Sequence, residues 1–329
     1  MSSKPVGQAA ARSLAVELYK TMLRIRLAEQ RIVDIYPTDK IQSPVHLSIG
    51  QEAVAAGVCM ALRPADHVYG TYRGHAIYLA KGGDMKKMFA ELYGKETGCA
   101  KGRGGSMHLV DSSAGLMGCS AIVGSTIPVA TGDALASQLD GRKRLVVAFF
   151  GDGAMDEGVF FESVNFAVLK NLPILFVCEN NGYGIHSKVS DRRKQTELYR
   201  VGGGLGLGGS RHDGSDVELV YRTAHRAACE ILAGAPPRLL EFTTYRWHEH
   251  VGPGKDYGAA YRLLGEEARA LKNDPLEIAR RRLETKHDVL PVEFDQWWAA
   301  AQKETAQAEE FAEASPFPSP ENLLADQYA

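Results

Sequence analysis

The sequence predicts an α/β protein with one doubly wound, mostly parallel sheet and helical extensions at both ends. Two short apolar runs, 145–150 and 172–179, flank a stretch of helical periodicity, which is the pattern of a βαβ unit. The stretch between them places Phe160, Val164 and Ala167 at core-facing spacing. Because such crossovers are right-handed, the carboxyl ends of both strands meet at one edge, where ligands collect.

The N-terminal half is predicted to be mainly helical. Apolar periodicity predicts an amphipathic helix over 12–36 and a second helix over about 49–62. We expect a loop over 66–75 and another helix over about 85–93. The segment 98–125 is rich in glycine, and a loop of that length in a compact domain is usually functional.

The C-terminal half carries clear boundary signals. Small residues over 125–139 predict a tightly packed helix. A helix over about 217–233 is capped by Asp216 and stopped by Gly234, and 238–246 is predicted to be a strand.

The tail is also predicted to be helical. Asp274 is its N-cap and Pro275 its first residue. The residues expected to end it are Pro316, Pro318 and Pro320.

The chain divides into three predicted regions. They are an N-terminal helical extension over 1–40, an α/β domain over 41–273 and a C-terminal helical extension over 274–329. The glycines between 202 and 209 indicate a flexible surface loop rather than a nucleotide fingerprint, because their spacing is wrong and no predicted strand precedes them.

Composition excludes several classes of function. The chain has 329 residues, 45% of them hydrophobic and 24% charged, which is ordinary for a globular protein. A net charge of −2 gives no electrostatic footprint for nucleic acid or an anionic membrane. The five cysteines are scattered without a Cys-x-x-Cys, and we see neither a secretion signal nor a spanning apolar run. We therefore expect a cytoplasmic protein with no nucleic-acid or membrane partner.

The two predicted strand ends carry oxygen-bearing side chains. Asp152 follows the first strand and Asn181 follows the second. A carboxylate, an amide carbonyl and nearby backbone carbonyls suit Mg²⁺ that is also held by ligand phosphates. The alternative is a plain βαβ unit with turn glycines and an asparagine cap.

The spacing of these residues resembles the diphosphate-binding motif of thiamine diphosphate enzymes. Gly151-Asp-Gly153 is followed, after residues 154–179, by Asn180-Asn181. The resemblance implies thiamine diphosphate and Mg²⁺ as cofactors. It also implies that the metal ligands are Asp152, Asn181 and the main chain of Tyr183.

Segments flanking this motif resemble the alpha subunit of the decarboxylating component of 2-oxo acid dehydrogenase complexes. Pyruvate, branched-chain 2-oxo acid and acetoin dehydrogenases are members of that family. The resemblance spans roughly residues 15–325. The matching segments are 46–53, 72–75, 101–108, 121–124 and 244–250.

The resemblance also implies roles for individual residues. Contacts to the diphosphate are implied for Tyr72, Arg73, Gly153, Ala154, Arg246 and His250. Ile122 and Val123 are expected to face the aminopyrimidine ring. His75 and His250 are candidates for proton transfer or for steadying the substrate carboxylate, because histidine ionises near working pH. The roles of His46, His108 and His248 stay open.

Thiamine diphosphate enzymes bind the cofactor between two α/β domains, and this sequence contains only the diphosphate half. The second domain carries the glutamate that protonates the aminopyrimidine. The resemblance therefore implies a beta subunit that completes the active site in an α₂β₂ heterotetramer.

Two departures from the family pattern bear on regulation and substrate. Val251 stands where several relatives have a phosphorylated hydroxyl, so we expect no such phosphorylation. Glu249 replaces the usual glycine between the two histidines and would repel an anionic 2-oxo acid unless it is paired. This raises the prospect of a sugar-pathway or acetoin-like substrate.

The main functional prediction is oxidative decarboxylation of a 2-oxo acid, with acyl transfer to a lipoyl group on an acyltransferase core. An alternative keeps the site but cleaves acetoin or joins carbon units without a lipoyl acceptor. A third reading is a non-catalytic scaffold, which the intact Asp152 and Asn181 disfavour.

Overall fold

A computed structural model describes residues 4–322 and residue 324; residues 1–3, 323 and 325–329, which the predicted extensions include, lie outside that part. The strands are β1 His67–Thr71, β2 Leu116–Ser120, β3 Val146–Gly151, β4 Ile174–Asn180, β5 Tyr183–Gly184, β6 Ser187–Lys188, β7 Gly208–Asp213 and β8 Arg238–Thr243. The helices are α1 Lys4–Ile35, α2 Glu52–Met60, α3 His75–Ala80, α4 Met85–Leu92, α5 Thr126–Leu139, α6 Gly158–Lys170, α7 Val189–Arg192, α8 Val217–Leu232, α9 Glu266–Leu271, α10 Pro275–His287 and α11 Pro291–Ala314.

Six of the strands form one sheet in the order β2-β1-β3-β4-β8-β7, while β5 and β6 form a separate hairpin. Every pair in the large sheet is parallel. The chain winds from β1 outwards to β2 and then returns to place β3 on the other side of β1. The strand order therefore reverses between β1 and β3, where a ligand crevice is expected.

Helices cover both faces of the sheet, which confirms the doubly wound prediction. Successive residues of β3 alternate between two cores. Val147 and Phe149 join α1, α2 and α8 in the larger core. Ala148 and Phe150 join α5 and α6 in the smaller one.

The two predicted extensions pack on each other. Tyr19 of α1 contacts Phe294 of α11 edge to face at a ring separation of 5.2 Å. Arg24 of α1 pairs with Glu304 of α11 at 2.8 Å. Leu18 is fully buried in the larger core, so α1 also packs on the α/β domain. The division of the chain into three regions stays a prediction.

The predicted helix boundaries at Asp216 and Asp274 are confirmed. Asp216 accepts a hydrogen bond from the N–H of Leu219 at 3.1 Å, and Asp274 accepts one from that of Leu276. Gly234 follows α8 with a φ of +100°, a conformation that favours glycine.

Three loop predictions were wrong in part. The segment predicted as a loop over 66–75 contains β1, a central strand, and the glycine-rich segment contains β2. The glycines after 202 lead into β7, which begins at Gly208 and pairs with β8. Each strand is short and contains glycine, so parallel pairing with its neighbours, and not local propensity, determines its conformation. No helix among residues 4–322 is long and apolar enough to cross a membrane.

Candidate active site

A cleft of about 290 Å³ lies at the carboxyl ends of β1, β2, β3 and β4. It occupies the place where the strand order reverses, so the topology itself positions it. The predicted site residues that line it are Tyr72, Arg73, Ile122, Val123, Asp152, Gly153, Ala154, Asn181, Tyr183 and His250. His75 and Arg246 were also predicted for the site but are not among the lining residues.

The predicted metal ligands lie together on the cleft floor. Asp152 directly follows β3 and is only 2% exposed. Asn181 directly follows β4, and its Oδ1 accepts a hydrogen bond from the N–H of Tyr183 at 3.2 Å. Its Nδ2 donates to Gln51 Oε1 at 3.2 Å, which turns the amide oxygen toward Tyr183 and away from Gln51.

A cation of the protein already sits on this acidic floor. Arg192 donates hydrogen bonds to both Asp152 and Asp156. Arg193, its neighbour, pairs with Asp156 and donates to the carbonyl oxygen of Met155 at 2.7 Å. The two arginines come from the segment after β6 and bring positive charge to the end of β3.

Arg73 supplies another cation to the cleft lining, and this one is buried. Its guanidinium donates to the carbonyl oxygens of Leu47 at 2.5 Å and His250 at 3.4 Å. Arg73 is 7% exposed, and within residues 4–322 no carboxylate forms an ion pair with it. Burial lowers the pKa of Arg73, although the group remains a cation at neutral pH. A buried cation without an ion-pair partner is a site for an anion.

Three rings pack together in tilted and edge-to-face contacts beside Arg73. His46 lies 4.4 Å from the ring of Tyr72 and 5.2 Å from that of His250, measured between centroids. Burial, followed by the charges of Arg73 and other nearby cations, lowers the pKa of His250 to about 3. The pKa of His46 is lowered to about 3 by the same causes. Both imidazoles are therefore neutral at pH 7, so His250 offers hydrogen bonds rather than a charge.

Glu179 adds a carboxylate at the end of β4. It lines the cleft and is 8% exposed. Burial raises the pKa of Glu179 to about 7, and the positive charge of Arg73 opposes the shift.

His75 lies beneath the cleft and is fully buried. Its Nδ1 is 3.1 Å from Glu29 Oε1, and its Nε2 is 2.8 Å from Ser106 Oγ. Glu29 also accepts two hydrogen bonds from the backbone N–H of Ser48. This network ties α1, α3 and the glycine-rich segment together, and it uses both nitrogens of the imidazole.

Arg246 is also buried away from the cleft, at 1% exposure. It donates to the carbonyl oxygen of His248 at 2.6 Å and to Asp256 at 3.2 Å. Arg262 shares Asp256 and lies over the ring of Tyr183 at 4.7 Å. These contacts tie the segment after His250 to the hairpin that carries Tyr183.

The three histidines whose roles the sequence left open lie in different environments. His108 is exposed, and His248 Nδ1 lies 2.7 Å from the carbonyl oxygen of Pro253. His46 does not line the cleft but packs against Tyr72 and His250, which do.

Glu249 does not line the cleft. Its carboxylate accepts a hydrogen bond from the N–H of Gly254 at 2.9 Å, so the residue is paired with its own loop. Within residues 4–322 no arginine or histidine forms an ion pair with Glu249, so no cation neutralises its charge. The expected repulsion of an anionic substrate therefore stays a prediction.

Several cleft residues were given no role in the site from the sequence. They are Gln51, Thr71, Ser120, Gly124, Thr126, Phe150, Gly151, Asp156, Glu179, Gly184, Ile185 and Arg192. Gln51 lies in the matching segment 46–53, and Glu179 ends the second apolar run, directly before Asn180-Asn181. Their positions in the sequence could therefore have indicated both. Arg192 has no such signal, because its segment has no periodicity and only the fold brings it to Asp152.

The residues present could hold a divalent cation and a diphosphate. Within residues 4–322 no three His, Cys, Asp or Glu side chains group as metal ligands. A metal bound there must use Asp152 together with amide, backbone and ligand oxygens, as Mg²⁺ commonly does. The buried Gln51 Nε2 and His46 Nδ1 have no partner in the described part of the chain and could serve a ligand.

The chain is similar in sequence to known enzyme subunits. The alpha subunit of acetoin:2,6-dichlorophenolindophenol oxidoreductase from Bacillus subtilis is 34% identical over 326 residues, covering 99% of this chain and 96% of that protein. The alpha subunit of the Rickettsia felis pyruvate dehydrogenase E1 component is 32% identical over 328 residues, with full coverage of both chains. The human somatic mitochondrial form is 34% identical over 321 residues, covering 97% of this chain and 80% of that protein. The family model described as "Dehydrogenase E1 component" matches residues 19–321, and the chain therefore belongs to that family.

Proposed function

We propose that this chain is the alpha subunit of a thiamine diphosphate-dependent 2-oxo acid dehydrogenase that passes the acyl group to a lipoyl acceptor. Membership of the family makes it an oxidoreductase acting on 2-oxo acids. One observation carries the assignment of the site. The cleft joins possible oxygen ligands for a divalent cation, from Asp152 and Asn181, to the buried guanidinium of Arg73, which has no ion-pair partner in the described part of the chain.

Mg²⁺ would be held by Asp152, Asn181 and the main chain of Tyr183. The diphosphate would be bound by Arg73 and Tyr72, with backbone N–H groups at the end of β3. Arginine suits this task because its planar donors pair with phosphate oxygens. Thiamine diphosphate supplies carbanion-stabilising chemistry when it is bound.

The side chains at the cleft mouth would then act on the substrate. The neutral imidazole of His250 can hydrogen-bond a substrate carboxylate or carbonyl without adding charge. Ile122 and Val123 form an apolar wall, which would orient the aminopyrimidine and exclude water. Arg246 would act through the loop it anchors, since its guanidinium is spent on His248 and Asp256.

For His75 we propose a positioning role. Both ring nitrogens are used by Glu29 and Ser106, and none of its surface is accessible. A group so enclosed cannot exchange a proton directly with a substrate in the cleft.

A beta subunit would complete the site, giving an α₂β₂ heterotetramer. Ile122, at the cleft mouth, is 72% exposed. Apolar side chains also project from α5 and α6, among them Val129, Leu139, Phe161 and Leu169. Exposed apolar surface of this kind marks protein interfaces. The Bacillus subtilis and Rickettsia felis relatives are themselves named as alpha subunits.

The test is a substrate panel with the chain reconstituted with its beta subunit. Pyruvate, branched 2-oxo acids and acetoin are assayed first with an artificial electron acceptor and then with a lipoyl domain and its acyltransferase core. The proposal expects decarboxylation of a 2-oxo acid and reductive acylation of the lipoyl group. The proposal would be contradicted if the lipoyl domain received no acyl group from any of these substrates.

A second candidate is acetoin cleavage without a lipoyl acceptor. It is favoured by the similarity to the Bacillus subtilis acetoin-oxidising subunit, which equals the similarity to the pyruvate dehydrogenase subunits. Turnover of acetoin with dye but of no 2-oxo acid would select it.

A further inference from the structure

Arg192 holds an unusual position on the cleft floor. It is the last residue of α7, in the segment that follows the β5–β6 hairpin. Its guanidinium bridges the carboxylates of Asp152 and Asp156 and lines the cleft. Its side chain is 18% exposed while that of Asp152 is 2% exposed, so the ion pair lies inside the cleft and not on the outer surface.

The backbone around Arg192 leaves room for its guanidinium. A Cβ on Gly184 would lie 3.1 Å from Arg192 Cζ, and one on Gly153 would lie 3.9 Å from Nη1. The Nε of Arg192 is buried and has no hydrogen-bond partner in the described part of the chain. Arg192 thus has one unpaired N–H donor beside Asp152, the predicted metal ligand.

Two cations cannot share one buried carboxylate without repulsion. Mg²⁺ at Asp152 would weaken the hold of that carboxylate on Arg192. A diphosphate at the same place supplies new negative charge and the bidentate oxygens that arginine prefers.

We propose that Arg192 is a diphosphate-binding residue that couples the binding of the metal to that of the diphosphate. When Mg²⁺ takes Asp152, the guanidinium of Arg192 turns to the diphosphate oxygens. The proposal rests on the proposed function of the cleft. It explains why a cation of the protein is placed on the one charged metal ligand.

The coupling has a measurable consequence. Mg²⁺ alone must compete with Arg192 for Asp152, so it should bind weakly. Thiamine diphosphate relieves the competition, and by linkage each ligand raises the affinity of the other by the same factor.

Arg193 provides a matched control. It is adjacent in sequence, is similarly buried, and pairs with Asp156 but not with Asp152. Removing its charge changes the same acidic cluster without freeing the metal ligand.

The experiment titrates Mg²⁺, thiamine diphosphate and inorganic pyrophosphate into the assembly of this chain with its beta subunit. Wild type is compared with Arg192→Gln, Arg192→Lys and Arg193→Gln by calorimetry, after thermal unfolding confirms that each variant is folded. For Arg192→Gln we expect about tenfold weaker binding of thiamine diphosphate and pyrophosphate at saturating Mg²⁺. Binding of Mg²⁺ alone should become several-fold tighter. Arg192→Lys should restore part of the coupling, and Arg193→Gln should stay within about twofold of wild type.

Equal effects of Arg192→Gln and Arg193→Gln would overturn the role of Arg192, as would unchanged coupling in Arg192→Gln. If wild type binds thiamine diphosphate without any dependence on Mg²⁺, the proposed function of the cleft fails first. The two failures are therefore distinguishable.

Discussion

The cleft and the layer beneath it both contain buried polar side chains, yet they differ in how completely these are satisfied. Beneath the cleft, both nitrogens of His75 have partners, and Glu29 accepts from the chain on two sides. In the cleft, Gln51 Nε2 and Arg192 Nε lack partners in the described part of the chain. Arg73 has no carboxylate partner there either.

The difference indicates which buried polar groups stabilise the fold and which are free to bind a ligand. A buried donor without a partner costs roughly 1–3 kcal/mol, so such groups are few in a stable protein. Two of them, Gln51 Nε2 and Arg192 Nε, belong to residues that line the cleft, which supports its interpretation as a binding site. The saturated network below holds the strands and loops that position the cleft.

The largest expected effect concerns the partner chain, because a cleft that is active without one would not be an incomplete site awaiting a ligand and a beta subunit. We expect this chain alone, given thiamine diphosphate and Mg²⁺, to show no decarboxylation of pyruvate or branched 2-oxo acids. The reason is that the family resemblance implies a second half-site on the beta subunit, without which the apolar mouth at Ile122 stays open. The assay is run on the purified chain, with its size measured in the same sample. Robust turnover by a homo-oligomer would overturn the half-site argument.

The next prediction sharpens the role of the cleft histidine. His250→Ala should lower turnover by about 10²-fold, in the range that positioned catalytic groups contribute, while cofactor affinity changes less. Steady-state kinetics at saturating cofactor measures this. His225→Ala, an exposed histidine on α8, is the matched control and should behave as wild type. Unchanged turnover in His250→Ala would make that residue structural.

His75 should show the opposite pattern. His75→Ala leaves the Glu29 carboxylate and Ser106 buried with a partner fewer, so the free energy of unfolding should fall by about 2–4 kcal/mol. Denaturant unfolding of the assembly checks it. A variant of wild-type stability that has lost turnover would instead restore His75 as a catalytic residue.

Local sequence patterns predicted the centre of the fold well. The βαβ unit and its two strand-end ligands follow from apolar periodicity, and the caps Asp216 and Asp274 follow from their chemistry. The strands β1, β2 and β7 were missed because each is short, contains glycine and is stabilised by neighbours distant in sequence.

Site residues were predicted partly from strand ends, as for Asp152 and Asn181, and partly from the family resemblance, as for Arg73. Asp152, Asn181 and Arg73 all lie in the cleft, as predicted. His75 was predicted for the site as a titratable residue and Arg246 from the family resemblance, but sequence does not reveal burial or partners. Their roles depend on tertiary contacts that no local pattern encodes.

The smallest expected effect concerns acid stability. His46 and His250 have pKa values lowered to about 3, against about 6.5 when unfolded. Between these pH values the unfolded chain binds more protons than the folded one. The contribution of the two histidines to the free energy of unfolding is therefore fully present above pH 6.5 and is lost as pH falls toward 3. From pH 7 to pH 5 we expect a loss of about 1 kcal/mol for each histidine, after allowing for solvent screening.

Denaturant unfolding at pH 7, 6 and 5 measures this loss. Wild type is compared with His46→Asn, in which one of the two titrating groups is removed. An identical pH dependence in both proteins would contradict the buried, neutral state of His46.

The central claim is that the cleft binds a diphosphate, with Mg²⁺ held by Asp152 and the unsatisfied donors of the cleft directed at the diphosphate oxygens. The most direct measurement is a calorimetric titration of thiamine diphosphate into the reconstituted assembly, with Mg²⁺ and with a chelator, for wild type and Asp152→Ala. The account predicts tight, Mg²⁺-dependent binding to wild type and at least tenfold weaker binding to the variant, about 1.4 kcal/mol or more. Wild-type affinity in Asp152→Ala, or binding to wild type that the chelator does not weaken, would contradict it.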